Sequence, residues 1–154
     1  MEKIKEKYEV LKKKHNLPSY EDMNKDFDIE EISEDSTLVL QKIRASMHDK
    51  IDFYAKMIEA ILQPESSLSG LYEAHYVDDD EKNSAYSLFK KLMGIVRYSN
   101  LVAVTNTDMD NAKFIKDTIK EWNSLKGDIQ KHVKRLISLW DKETDIREDL
   151  NYFG

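Results

Sequence analysis

Glycine and proline together supply only six of the 154 residues of this chain. An average chain of this length has about 18. Glycine permits positive φ angles and proline interrupts backbone hydrogen bonding, so both residues commonly end helices and strands. Their scarcity predicts long uninterrupted elements. It also excludes phosphate-binding loops, dinucleotide fingerprints and nucleophile elbows, because the four glycines do not stand at the spacings that these motifs need.

Composition excludes further classes of site. The chain has no cysteine, which excludes disulfides, thiolate zinc sites and cysteine nucleophiles. Its formal net charge is −6, so we expect no global attraction to nucleic acid or anionic lipid. The N-terminal stretch lacks the apolar segment of a signal peptide, and no charge-free run is long enough to span a membrane. We expect a soluble, cytoplasmic protein.

Apolar residues repeat at helical spacing along most of the chain. This period predicts helices over residues 2–15, 36–62, 66–76, 79–105 and 108–141. No stretch alternates apolar and polar residues, as a strand does, for more than four residues. We therefore predict an all-α protein with a single domain over residues 1–154. Its expected architecture is an elongated up-and-down helical bundle of three long helices, with an N-terminal helix and short helical connectors.

Two segments and two glycines have more specific expectations. Residues 19–35 form an acidic connector with eight acids and one base, in which capping patterns at Ser19 and Asp28 predict two short helical turns. Residues 142–154 form a C-terminal tail. Gly127 lies inside the longest predicted helix, at a cost of about 1 kcal/mol relative to alanine. We expect a kink or break near it, or an overhang of this helix beyond the bundle, and we expect Gly94 to allow close approach of another helix.

Two acids and one histidine are candidate metal ligands, and they are the basis for an enzymatic alternative. His48, Asp49 and Asp52 stand on adjacent turns of one predicted helix, and carboxylates at i,i+3 spacing are suitable ligands for Mg²⁺. With His15 upstream and Asp108 downstream, the His-Asp doublet resembles the ligand order of the all-helical HD phosphohydrolases. The residues after the doublet do not match that family, and the Glu-x-x-His pattern of di-iron bundles is absent. A divalent-metal-dependent phosphohydrolase is therefore one alternative function.

A lysine-rich helix face is the basis for a second alternative, which is nucleic-acid binding. Lys113, Lys116 and Lys120 share one face of the last predicted helix, within a basic stretch over residues 111–137. Local positive patches can bind phosphates even when the total charge is negative. This stretch contains a single arginine, and arginine is the residue that best reads base edges. A nucleic-acid-associated accessory protein is the second alternative.

The leading prediction is a non-enzymatic interaction or assembly module that acts through an apolar helix face. We expect no cofactor, and a partner that is another protein or a second copy of the chain. Self-association would pair the acidic connector with the basic stretch over residues 111–137. Tyrosine and tryptophan are enriched at protein interfaces, and excess apolar surface points to the same use. The candidate interface residues are Trp140, Leu150, Tyr152, Phe153, Ile95 and Val102.

Overall fold

The protein is all-α, as predicted, in a computed structural model that describes residues 2–64 and 66–146. No strand occurs among these residues. The α-helices are α1 (Glu2–His15), α2 (Tyr20–Phe27), α3 (Val39–Leu62), α4 (Leu68–Tyr76), α5 (Asp79–Thr105) and α6 (Asp108–Trp140). A short 3₁₀ turn, Ile29–Glu31, follows α2. The helices pack as bundles around the apolar stripes that the sequence predicts.

The chain ends three of its helices without glycine. Asn16, Asp28 and Asn106 directly follow α1, α2 and α5, and each has a positive φ angle of 51–56°. Asparagine and aspartate tolerate this left-handed conformation better than other residues with a side chain, so they can terminate a helix where glycine usually does. This explains how a chain with four glycines closes several helices.

Side-chain caps begin four of the helices, namely α2, α4, α5 and α6. The backbone N–H of Asp22 donates to Ser19 Oγ at 3.1 Å and begins α2. The corresponding bond from Asp110 to Thr107 Oγ1 is 3.2 Å long and begins α6. The predicted cap at Asp28 is wrong, because the left-handed Asp28 accepts no such bond through its side chain.

The structure contradicts the predicted break at Gly127 and the predicted close approach at Gly94. Helix α6 is continuous through Gly127, so the predicted break is absent. Gly94 does not receive a neighbouring helix, because it is exposed and an added Cβ atom would meet nothing within 4 Å. A helix of 33 residues can accommodate one glycine, since its cost is only about 1 kcal/mol.

The chain divides into two compact units. The first unit contains Met1–Asp52 and Gly94–Asn123, and the second contains Phe53–Met93 and Ser124–Gly154. In the first unit, Tyr8 donates to the Pro18 carbonyl at 2.7 Å and fixes the end of α1. Trp122 packs on Phe27, with ring centroids 5.1 Å apart. These contacts hold α1 to the α1–α2 connection and hold α2 against α6.

Aromatic residues organise one end of the second unit. The Tyr72 hydroxyl donates to the Leu139 carbonyl at 2.5 Å. The Tyr72 ring also stacks on Trp140, with centroids 4.5 Å apart. An ion pair between Arg135 and Glu81, 2.7 Å long, connects α6 to the first turn of α5. Helix α4 is therefore fastened to the last turn of α6.

Candidate interaction surface

Helices α5 and α6 form a helical hairpin in the first unit, with a turn of two residues, Asn106 and Thr107. Gln41, near the start of α3, forms hydrogen bonds with this turn. Its Nε2 atom donates to the Asn106 carbonyl at 3.0 Å and to Asp108 Oδ1 at 2.9 Å. Gln41 is 8% exposed, so these bonds are made largely out of water. Thr105 adds a bond from its hydroxyl to Asp110 Oδ2, at 2.7 Å.

Arg44, one turn after Gln41, connects the two helices of the hairpin. Its Nε atom donates to Asn111 Oδ1 at 2.7 Å, and an Nη atom donates to Ser99 Oγ at 3.0 Å. Both acceptors lie on fully buried residues. Burial lowers the pKa of the guanidinium, because desolvation disfavours the charged form. The cation is thus held by neutral acceptors, and it fixes α5 and α6 at one separation.

The hairpin carries large apolar side chains that the fold does not cover. Leu101, Val104 and Met109 are 70%, 81% and 75% exposed. Leu101 and Val104 lie three residues apart and share a helix face, and Met109 lies in the first turn of α6, directly after the turn. We call these three residues the hairpin surface. Their exposure contrasts with Val102, which is 5% exposed and points into the core.

Two open grooves border the hairpin surface. The first has a volume of about 430 Å³ and includes Leu101 and Tyr98 in its lining. The second, about 660 Å³, runs between the α1–α2 connection and one face of α6. We call it the lysine groove. It is lined by His15, Asn16, Leu17, Pro18, Met109, Ala112, Lys113, Lys116, Asp117, Ile119 and Lys120.

The lysine groove brings together the three lysines that the sequence places on one helix face. Lys113 forms an ion pair with Asp117 at 2.6 Å, and Tyr98 donates to the same carboxylate at 2.9 Å. The hydrogen bond from Lys113 holds the pKa of Asp117 below its usual range. Lys116 and Lys120 make no hydrogen bond or ion pair with any described residue.

The predicted interface residues have mixed locations. Ile95 and Val102 are buried, at 8% and 5% exposure, so they belong to the core and do not present a free surface. Trp140 is 51% exposed, although its Nε1 atom donates to Glu73 Oε2 at 3.1 Å. The remaining three, Leu150, Tyr152 and Phe153, lie outside the described residues.

The predicted metal ligands do not form a cluster. His48 is half-buried, and its Nδ1 atom has no hydrogen-bond partner in the described part of the chain. Asp49 is exposed and Asp52 is half-buried on the same helix. Across residues 2–64 and 66–146, no three histidine or carboxylate side chains come close enough together to hold a metal ion.

Some residues of the acidic connector form contacts with α1 in the first unit. Lys5 forms an ion pair with Glu21 at 2.7 Å, and Lys7 donates to the carbonyls of Glu34 and Ser36. Exposed acids remain that form no ion pair with a described residue. We call four of them, which follow α2, the acidic surface: Asp28, Glu30, Glu31 and Asp35.

Sequence patterns found some of this surface and missed the rest. The predicted interface residue Val102 lies beside the exposed Leu101 in α5, but Met109, Arg44 and the buried Asn111 gave no local signal. Comparison with protein-family models, curated proteins and solved structures finds no match for this chain. None of the helices in the described ranges is both apolar enough and long enough to cross a membrane.

Proposed function

We propose that this chain is a non-enzymatic assembly module that self-associates through its hairpin surface. The observation that carries the proposal is the exposure of Leu101, Val104 and Met109, at 70–81%, at one end of one helical hairpin. Concentrated apolar exposure of this kind marks interaction sites in soluble proteins. The proposal keeps the cytoplasmic location and the lack of a cofactor that the sequence predicts.

A second copy is the occupant that matches the size of this surface. Burying one such side chain completely contributes about 1.5–3 kcal/mol, so three side chains at about three-quarters exposure contribute roughly 3–7 kcal/mol per copy. A two-fold contact buries the hairpin surface of both copies and doubles this gain. Association itself costs about 4–15 kcal/mol. The two ranges overlap, so the net gain is small, and we expect a weak dimer with a dissociation constant between about 10 µM and 1 mM.

The support beneath the hairpin favours this use. Gln41 and Arg44 fix the turn and the spacing of the two helices through four hydrogen bonds. A docking surface that is already ordered loses less conformational entropy when it binds. The apolar side chains are therefore presented on a rigid frame.

Sedimentation equilibrium between about 10 µM and 1 mM tests the proposal. We expect the average mass of the wild type to rise with concentration, and the Leu101→Ser/Val104→Ser variant to stay monomeric. The matched control is Val10→Ser/Ile137→Ser, since Val10 on α1 and Ile137 near the C-terminal end of α6 are 67% and 59% exposed. This control should associate like the wild type. A wild type that remains monomeric throughout, or a hairpin variant that associates normally, would overturn the proposal.

A further inference from the structure

The lysine groove has basic groups without a partner. Lys116 and Lys120 both line it and make no ion pair with a described residue. His15 lines it too, and the Nε2 atom of His15 is buried without a hydrogen-bond partner in the described chain. A buried nitrogen without a partner costs about 1–3 kcal/mol. A ligand that brings acceptor oxygens would satisfy Lys116 and Lys120.

The charge inside the groove is not neutralised by its own acid. Asp117 is the only carboxylate among the lining residues, and it already accepts bonds from Lys113 and Tyr98. Lys113 and Asp117 therefore cancel one another, and Lys116 and Lys120 leave the groove positive. Met109 belongs both to this groove and to the hairpin surface, so the groove continues the proposed interface.

We propose that the lysine groove binds carboxylates supplied by the acidic surface of a second copy, namely Asp28, Glu30, Glu31 and Asp35. This inference rests on the proposed self-association and assigns its charged part. The acidic surface is complementary in sign to the groove. All four acids are exposed and lack an ion pair with any described residue, so they are free to meet Lys116 and Lys120 of another copy.

The chemistry of the groove favours carboxylates on a protein over the phosphates of a nucleic acid. Its lining includes apolar groups, among them Leu17, Ala112 and Ile119, and no arginine. Only two of its lysines are uncompensated, whereas nucleic-acid affinity grows with each phosphate that is neutralised. The net charge of −6 also repels a polyanion. A segment with both apolar and acidic side chains matches such a lining.

The test exchanges the charges and then recombines them. Lys116→Glu/Lys120→Glu and Glu30→Lys/Glu31→Lys should each weaken self-association by at least about tenfold in sedimentation equilibrium, because attraction becomes repulsion at several surface pairs. An equimolar mixture of these two variants should associate more tightly than either alone. Lys91→Glu/Lys134→Glu is the control of equal charge change at other exposed lysines, and it should behave like the wild type. Circular dichroism and urea unfolding confirm that each variant folds.

Failure of this inference is distinguishable from failure of the proposed function. A wild type that stays monomeric would contradict both the proposed self-association and the proposed role of the lysine groove. If the wild type associates and Leu101→Ser/Val104→Ser abolishes the contact, but Lys116→Glu/Lys120→Glu matches the wild type, only the role of the groove is wrong. Failure of the mixture to associate also overturns that role. Binding of a single-stranded RNA oligonucleotide that is lost in Lys116→Glu/Lys120→Glu, with unchanged self-association, would assign the groove to nucleic acid instead.

Discussion

Replacing Arg44 with methionine tests whether a buried polar network supports the hairpin. The substitution keeps a long side chain and removes the charge together with both hydrogen bonds, to Asn111 Oδ1 and to Ser99 Oγ. Asn111 is fully buried, so no water can replace the bond to its Oδ1 atom. Ser99 can turn its hydroxyl toward a carbonyl of its own helix, and most of the cost therefore falls on Asn111.

The magnitude follows from these bonds. A hydrogen bond to a charged group contributes about 1.5–3 kcal/mol, and a buried acceptor left unpaired costs about 1–3 kcal/mol. Because Arg44 is partly exposed, the contribution of its hydrogen bonds is reduced. We expect the free energy of unfolding to fall by about 2–4 kcal/mol, which corresponds to a melting temperature lower by roughly 5–15 °C for a chain of this size.

Urea unfolding followed by circular dichroism measures this change, with the midpoint and the m-value fitted together. The triple variant Arg44→Met/Ser99→Ala/Asn111→Leu removes the donor and both acceptors, and it should recover at least half of the loss. Arg44→Lys should not restore the wild-type value, because one ammonium group cannot reach both acceptors as the guanidinium fork does. An Arg44→Met variant within about 0.5 kcal/mol of the wild type would refute the reasoning.

Four further substitutions can be tested by urea unfolding. Gly94→Ala and Gly127→Ala should each stabilise the protein by about 0.5–1 kcal/mol, since an added Cβ atom has free space; destabilisation at either site would contradict this. Burial lowers the pKa of His132, so the unfolded chain takes up this proton more readily. The stability that comes from keeping His132 neutral is present above about pH 6.5 and is lost as the pH falls through that value toward the lower folded pKa. His132→Gln should therefore flatten the dependence of the unfolding free energy on pH between about pH 7 and pH 5. An unchanged pH dependence in this variant would contradict the role of His132. Trp122→Phe should cost about 1–2 kcal/mol by removing the 3.0 Å bond to Asp26 Oδ2, and an unchanged midpoint would show that this bond contributes nothing.

Local patterns predicted the helices well, because their signals are local. Apolar period and capping residues act within a few positions, as at Ser19 and Asp22, where the predicted cap forms. Gly127 was overestimated as a break. Its cost is small compared with the packing of the buried residues on either side of it, Leu125 and Ile129, and tertiary packing supplies most helical stability.

Which residues are exposed in the hairpin surface depends on contacts between helices, and a local sequence pattern does not predict these contacts. Neighbouring positions on a helix are rotated by about 100°, so a run of apolar residues does not reveal which of them faces the core. Val102 is buried, whereas Leu101 and Val104 lie in solvent. The partners Arg44 and Asn111 are 67 residues apart in sequence. Their pairing depends on helix order and rotation, which a single sequence leaves open.

The hairpin surface itself can be located by measuring which residues meet between two copies. The chain contains no cysteine, so Arg97→Cys, one turn before Leu101, provides a unique site for a nitroxide label. This labelled protein would be mixed with ¹⁵N-labelled wild type at a concentration where the dimer is populated. The account predicts that the amide signals of residues 101–109 in the wild-type copy broaden, and that they recover when the nitroxide is reduced or when Leu101→Ser/Val104→Ser replaces the wild type. Broadening confined to residues elsewhere in the chain, or none at all, would contradict it.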